Sequence, residues 1–331
     1  METMKALILK SAGGSENLEL CEVPVPPVRA GQVLVEVAAT SINPIDIKIR
    51  EGLPVGPQLP SSIGCDVSGT VRAVGPGVTA FRAGDQVYGC AAGVKGMGGA
   101  MAQFVAADAR LLALAPRSMP LTDAAALALI GITASEGLRR SQVQENEWVL
   151  IQGANGGVGH IALQLAVARG ARVAASVRSE DGARIARELG AHEVIVGNDP
   201  AHRAAEIQRI TSGKGFDAVF DTVGGASLDA ALQAAAVNGR VAAIAARSTH
   251  DLSPMHAKGL TLSVVFMLIP LLHDVGRERH GQTLSELAGL VDAGKVKVRI
   301  DPTPFDLPHA GAAQDFFSSG QARGKVLIRV A

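Results

Sequence analysis

Cysteine is scarce in this 331-residue chain: Cys21, Cys65 and Cys90 stand far apart, with no C-x-x-C pair. That spacing excludes a disulfide-stapled scaffold and suits a reducing compartment, so the cytoplasm is the expected location. Aromatic side chains are equally sparse, with one Trp, one Tyr and eight Phe. Few stacking platforms are left for single-stranded nucleic acid. Neither sign of charge is in excess, because 31 Lys and Arg face 31 Asp and Glu. No global field draws the chain onto nucleic acid or an anionic membrane, and neither is an expected partner. The longest strongly apolar stretch, Leu260 to Leu272, is interrupted by Pro270 and falls short of the roughly 20 residues that span a bilayer. Met1-Glu-Thr-Met-Lys5 leads straight into an alternating run, so no signal peptide is expected.

Hydrophobic residues, by contrast, make up 47% of the chain, enough for two buried cores. In the first third, short strand candidates at 33–37, 66–71 and 85–88 are separated by turn signals such as Gly75-Pro-Gly77, which suggests an irregular β-barrel or sandwich. From about Thr122 the texture changes to Ala-rich helical segments alternating with short apolar runs, the pattern of βαβ units on a parallel sheet. Strands are expected at 148–152, 172–177, 194–196, 216–221, 240–245 and 260–266. Together they would make a complete doubly wound, six-stranded dinucleotide fold of the α/β class. After Pro270 come a charged, His-containing stretch, a helix near 283–293 and a closing strand at 325–330 that returns to the first domain. The expected division is 1–122, 123–266 and 267–331.

The apolar strand Trp148-Val-Leu-Ile-Gln152 runs directly into Gly153-Ala154-Asn155-Gly156-Gly157-Val158-Gly159, and Val158, Ile161, Ala162, Leu165 and Ala166 then repeat at helical spacing. A pyrophosphate needs backbone N–H groups at a helix N-terminus within close reach, and side chains on the turn would block them. Glycine permits the approach. The turn departs from plain G-x-G-x-x-G by one extra residue before the glycine pair, so the strand–turn–helix context rather than the pattern carries the assignment.

The end of the second strand selects the dinucleotide, because an acidic residue there would bind the ribose hydroxyls of NAD. The segment Ala174-Ala-Ser176-Val-Arg178-Ser has none. Ser176 and Arg178 instead suit a 2′-phosphate, Arg178 through charge-assisted bonds, and point to NADPH. The competing reading of Arg178 is a solvated surface charge, with Arg172 and Arg184 nearby in sequence.

Further segments, Asn43-Pro-Ile-Asp-Ile-Lys-Ile-Arg-Glu-Gly52, Gly64-Cys-Asp-Val-Ser-Gly69, Val74-Gly-Pro-Gly-Val78, Phe81-Arg-Ala-Gly-Asp-Gln-Val-Tyr-Gly89 and Gly324-Lys-Val-Leu327, occur in the order seen in the medium-chain dehydrogenase/reductase superfamily. From about Met4 onward the chain resembles its zinc-free quinone oxidoreductase and enone reductase branch, which includes the zeta-crystallin-like proteins. The resemblance implies a GroES-like, β-rich catalytic domain built from both chain ends, a Rossmann domain between them with the nicotinamide in the cleft, and a homodimer pairing edge strands near Leu260 to Phe266. Zinc-dependent relatives hold the catalytic metal with an early Cys and a Gly-His-Glu motif. The corresponding positions here are Asn43-Pro-Ile-Asp46 and Gly64-Cys65-Asp66, and Cys65 and Asp66 alone do not make the three-ligand set a zinc site needs. Three cysteines cannot fill a four-cysteine structural lobe either. No metal is expected.

Without a Lewis acid, hydride transfer to a simple ketone is disfavoured. A quinone or an α,β-unsaturated carbonyl delocalises the incoming charge onto oxygen, where a hydrogen bond or a cation stabilises it. The expected activity is therefore NADPH-dependent reduction of a small conjugated acceptor. Within the resemblance, quinone oxidoreductases carry Tyr where this chain has Lys48, whereas plant-type enone reductases carry Lys. Lys48 would hold the cofactor or stabilise enolate charge, and Asn43 would position cofactor or substrate. An exposed loop lysine and a turn former before Pro44 are the competing readings. By resemblance, Thr133, Val223 and Ala245 supply further cofactor contacts, and Phe266, Met267 and Lys325 line the nicotinamide end. Val223, Phe266 and Met267 are also of types common in plain cores.

His160, at the helix start, reads as a packing or surface residue, and His273, Arg277, Arg279 and His280 as a solvated loop. Two other functions compete. The same mechanism would reduce acrylates or enoyl thioesters. Outside catalysis, some relatives are lens crystallins or bind AU-rich RNA, a reading that the neutral charge and scarce aromatics weaken.

Overall fold

Alternating burial along Thr3–Leu9 makes it a one-sided strand, β1, which pairs antiparallel with β2 (Leu18–Pro24). The chain then forms β3 (Gln32–Ser41), the short helix α1 (Pro44–Arg50), β4 (Ser61–Ser62), β5 (Asp66–Val74), β6 (Gln86–Cys90), β7 (Phe104–Asp108) and β8 (Leu112–Leu114). These coordinates are a computed structural model that describes residues 2–330. One sheet has the order β2-β1-β4, while β3, β5, β6 and β8 lie side by side in a second, with β7 on β3. Register shifts between Leu34 and Val35 and between Val37 and Ala39 bend the β3/β5 pair, as bulges do. The bend brings strands into close approach: a Cβ at Gly69 would lie 2.1 Å from the Glu36 carbonyl oxygen.

A run of small and apolar residues follows as α2 (Leu121–Ala124), a 3₁₀ turn and α3 (Ala128–Arg140). By length and composition, Leu121–Arg140 could cross a membrane, with 20 residues at mean hydropathy 1.3, but 72% of that window is buried inside the protein, as in a core helix.

Next come β9 (Trp148–Gln152), α4 (Gly157–Ala168), β10 (Arg172–Val177), α5 (Glu180–Glu188), β11 (Glu193–Val196), α6 (Pro200–Thr211), β12 (Phe216–Asp221), α7 (Ala226–Ala234), β13 (Ala235–Ala243), α8 (Ser253–Lys258) and β14 (Thr261–Val264). The six strands are parallel in the order β11-β10-β9-β12-β13-β14, a doubly wound sheet. Helices cover both faces of such a sheet, so its strands read as unbroken apolar runs. Leu150, Val219, Phe216 and Leu232 share one core cluster. Truncating Leu150 to Ala in such a core costs about 2–5 kcal/mol. The order reverses between β9 and β12, where an open α/β sheet places its ligand crevice.

The last segment carries α9 (Ile269–His273), α10 (Glu278–Asp292), α11 (Ala310–Ser318) and β15 (Leu327–Arg329), which pairs antiparallel with β3, Leu327 opposite Ser41. Two compact units result, Met1–Leu129 with Leu268–Ala331, and Ile130–Met267. The first boundary falls at 129/130 rather than 122/123. Ala125 and Leu129 are fastened to the first unit, Ala125 through its carbonyl to Ser41 Oγ at 3.3 Å and Leu129 through its N–H to Asp66 Oδ1 at 2.8 Å. Of the expected solvated loop, His273 and Arg279 are exposed, whereas Arg277 and His280 are anchored. Arg277 Nη1 donates to Asp108 at 2.7 Å, its Nη2 to the Leu271 carbonyl at 2.8 Å, and His280 is buried.

Candidate cofactor and catalytic sites

The glycine turn sits between β9 and α4, at the carboxyl edge of the parallel sheet. Gly153 adopts φ +67°, a conformation side chains rarely take, and its N–H and that of Ala154 both donate to the Ser176 carbonyl, at 3.1 and 3.2 Å. A Cβ on Gly159 would lie 2.1 Å from the Gly153 carbonyl oxygen, so this glycine lets α4 pack against the turn. Gly156 differs from both. Its φ of −80° would suit any residue, and it occupies the N-cap of α4, where it offers no side-chain oxygen to the first-turn N–H groups. The next two helices are capped from within, α5 by Ser179 Oγ accepting from the Gly182 N–H at 3.2 Å and α6 by Asp199 accepting from the His202 N–H at 2.7 Å. The first-turn donors of a helix lack intrahelical acceptors and favour an anion. The opening of α4 therefore has the chemistry of a pyrophosphate cradle, with Asn155, Gly156 and Gly157 exposed and Val158 half-buried.

Three arginines near β10 separate by their surroundings. The Arg172 guanidinium lies 4.9 Å from the Trp148 ring centroid, and Arg184 pairs with Asp181 at 2.7 Å and Glu188 at 2.6 Å. Arg178, exposed at the carboxyl end of β10, makes no hydrogen bond or ion pair among the described residues. Ser176 lies inside the strand, 5% exposed, its carbonyl accepting from the Gly153 and Ala154 N–H groups. The exposed hydroxyl at this lip belongs to Ser179, which the sequence reading passed over although it is the N-cap of α5.

The other carboxyl ends are tied by a buried cluster. The Asp221 carboxylate accepts from the N–H groups of Val223 at 3.2 Å and Gly224 at 2.9 Å, and burial raises its pKa. Gln152, with its amide turned to satisfy its neighbours, donates to Asp221 at 3.3 Å and accepts from Arg203 at 2.9 Å. The Asp221 bonds fix the loop bearing Val223, which is 57% exposed and so not a core residue. Ala245 and Phe266 are half-buried, the Arg247 guanidinium lying 5.8 Å from the Phe266 ring centroid, while Met267 and, on α3, Thr133 are buried. His160 is 2% exposed, with Nδ1 2.9 Å from the Gly156 carbonyl oxygen, a packing position.

In the first unit, Asn43 is the N-cap of α1, and Lys48 lies on that helix rather than on a loop. Asn43 is buried in a polar network. Its Nδ2 donates to Asp66 Oδ2 at 2.7 Å, its Oδ1 accepts from Lys325 Nζ at 2.6 Å, and its N–H donates to Asp46 Oδ2 at 2.8 Å. Ser41 Oγ donates to Asp66 at 2.6 Å, the Cys65 N–H to Asp46 at 3.0 Å, and Lys325 Nζ to the Ile42 carbonyl at 2.7 Å. Burial, reinforced by the charge of Asp66, pushes Asp46 up to about 6. Burial likewise raises Asp66 and lowers Lys325, and their mutual attraction opposes both shifts. The hydrogen bond with Cys90, then burial, holds the Cys65 thiol well above its usual range. Lys325 is only 4% exposed, its ammonium held by Asn43 Oδ1 and the Ile42 carbonyl. The Lys48 side chain is exposed and has no partner among the described residues.

An alcohol dehydrogenase GroES-like domain family matches residues 29–117, and a zinc-binding dehydrogenase family matches 157–270. The rat quinone oxidoreductase is 30% identical over 98% of this chain and 97% of its own. The chain belongs to the quinone oxidoreductase branch of the medium-chain dehydrogenase/reductase family. An Arabidopsis thaliana chloroplastic NADPH-dependent alkenal/one oxidoreductase is also 30% identical, over 98% of this chain and 79% of its own. Among solved structures, an alcohol dehydrogenase superfamily protein from Novosphingobium aromaticivorans is 41% identical, with TM-score 0.94 over 99% of this chain and all of the other. Family membership accounts for the pairing of a GroES-like β-rich unit with a Rossmann unit. It leaves residue roles to the geometry.

Proposed function

We propose that this chain is an NADPH-dependent reductase that delivers hydride to a conjugated acceptor, a quinone or an α,β-unsaturated carbonyl, without a catalytic metal. The observation that carries the reading is the pairing, on one sheet edge, of the uncapped α4 N-terminus with the unpartnered Arg178 at the neighbouring strand end. The first suits a pyrophosphate and the second a 2′-phosphate. Bound there, NADPH supplies the hydride.

The chain's own residues do the rest. Asn155, Gly157 and Val158, whose N–H groups are not taken up within the turn, would offer backbone donors to the pyrophosphate, Arg178 and Ser179 would hold the 2′-phosphate, and Val223, Ala245 and Phe266 would shape the nicotinamide half. Lys48 carries an exposed cation without a partner among the described residues, of the kind that would offset negative charge on an acceptor oxygen, and Asn43, Asp46 and Asp66, fixed with Lys325, hold the helix α1 that bears it. Donor chemistry favours metal independence. Asp66 already accepts from Ser41, Asn43 and the Leu129 N–H, the Lys325 ammonium lies 3.8 Å away, and no group of three or more His, Cys, Asp or Glu converges as a metal site among the described residues.

The same reading includes a cytoplasmic location, which suits three free cysteines, and a homodimer joined through β14, an edge strand whose Val264 is 48% exposed. Nucleic acid and membranes are not among the proposed partners. The test follows NADPH oxidation across a simple quinone, an enone, an acrylate and alcohols, with and without a metal chelator. Turnover of the quinone and enone, indifferent to chelator, supports the proposal. Chelator-sensitive alcohol turnover would sink it.

A further inference from the structure

The loop after β13 holds a constellation that none of the roles above uses. Ser248 Oγ lies 2.6 Å from His250 Nε2, and His250 Nδ1 lies 2.7 Å from Asp229 Oδ1 on the first turn of α7. The imidazole side chain is only 8% exposed, whereas Asp229 is half-exposed and Ser248 faces solvent. A buried imidazole thus connects a carboxylate to an outward hydroxyl. Asp229, on α7, and Asp221, at the end of β12, are the charged groups that face His250.

Position gives the constellation its use. The pyrophosphate cradle follows β9, and the 2′-phosphate lip follows β10 on one side of it. β12 and β13 lie on the other side, so the nicotinamide half of an extended dinucleotide would fall over their carboxyl ends, where residues 244–250 emerge. Reduction of an enone needs a proton at the α-carbon once hydride has reached the β-carbon. Resting on the reductase reading, we infer that Ser248, His250 and Asp229 form the proton relay that completes this reduction.

In that step the Ser248 O–H bond breaks as a C–H bond forms at the α-carbon of the enolate. The Nε2–H proton of His250 passes to Ser248 Oγ, and the neutral imidazole that remains keeps its Nδ1–H on Asp229. Solvent then restores the Nε2 proton. Ser248 is the catalytic residue of the relay, and His250 and Asp229 act through it. No oxyanion hole is required, which separates the arrangement from a hydrolytic triad.

The test compares enone with quinone turnover in one preparation. Proton transfer to the oxygens of a reduced quinone is intrinsically fast, whereas transfer to carbon is slow and needs an acid. In His250→Gln and in Ser248→Ala, enone kcat is expected to fall about 10²-fold relative to quinone kcat, the scale of general-acid catalysis. The double variant should lose no more than either single one, as residues acting as a unit do. A second readout needs no cofactor: the His250 Nδ1 proton should give a downfield imidazole resonance that disappears in Asp229→Asn. An enone-to-quinone ratio within about twofold of wild type, or no such resonance in the wild-type protein, overturns the relay. If wild type reduces neither acceptor while the resonance is present, the reductase reading fails, and the relay's assigned role fails with it.

Discussion

At the scale of the residue, Asp46 shows what the polar network of the first unit demands. Its carboxyl is fully buried, and its pKa is pushed from 3.8 up to about 6, first by burial and then by Asp66. Between those values the folded state binds more protons than the unfolded one. The contribution of Asp46 to stability is therefore complete below about pH 3.8 and is lost as pH rises through about 6, with a slope approaching about 1.4 kcal/mol per pH unit. Asp46→Asn should flatten this part of the curve. Urea midpoints measured from about pH 4 to 7 on both proteins check it, and parallel curves would mean that Asp46 titrates normally. The network was only partly legible in the sequence. Asp46, Asp66 and Lys325 lie in separate segments, and nothing local to any of them announces that β3, β5 and the C-terminal return bring them together.

At the scale of the element, α4 separates helix stability from ligand binding. Gly156 has ordinary φ, and a Cβ there would meet only the Gly153 carbonyl oxygen, at 3.2 Å. Gly156→Asp should supply the missing N-cap and stabilise the helix by about 0.3–1 kcal/mol, chiefly through the carboxylate at the helix N-terminus because glycine is itself a tolerable cap, while placing a negative charge where the proposed pyrophosphate would sit. The expected result is a higher Tm with NADPH affinity reduced by at least about tenfold, read by thermal melts and titration. A variant that melts higher and binds as well would show that the anion lies elsewhere. The edges of β9, β10 and β12 match the apolar runs in the sequence because strands of a buried parallel sheet are apolar throughout. β13 was expected from Arg240 but begins at Ala235, where the exposed residues Val237 and Asn238, the latter with φ +58°, read as a turn. α1 was hidden because Pro44 and the alternating isoleucines resemble a turn entering a strand.

At the scale of the whole molecule, β14 ends the parallel sheet with one edge unpaired among the described residues, apart from Arg140 Nη1 donating to the Val264 carbonyl at 3.1 Å. An exposed apolar edge invites pairing, and a lysine on it discourages pairing. Val264→Lys should shift the proposed dimer to monomer in sedimentation velocity without lowering Tm by more than the dimer contact accounts for. An unchanged sedimentation coefficient would place the contact elsewhere.

The central claim is that the carboxyl edge of this sheet holds NADPH, with the pyrophosphate on α4 and the 2′-phosphate on Arg178. Calorimetric titration of NADPH and NADH into wild type and Arg178→Asp tests it most directly. Wild type should bind NADPH more tightly than NADH, and the substitution should weaken NADPH by about 10²-fold, the loss of a charge-assisted contact, with much less effect on NADH. Equal affinities in wild type, or an unchanged preference in the variant, would contradict it.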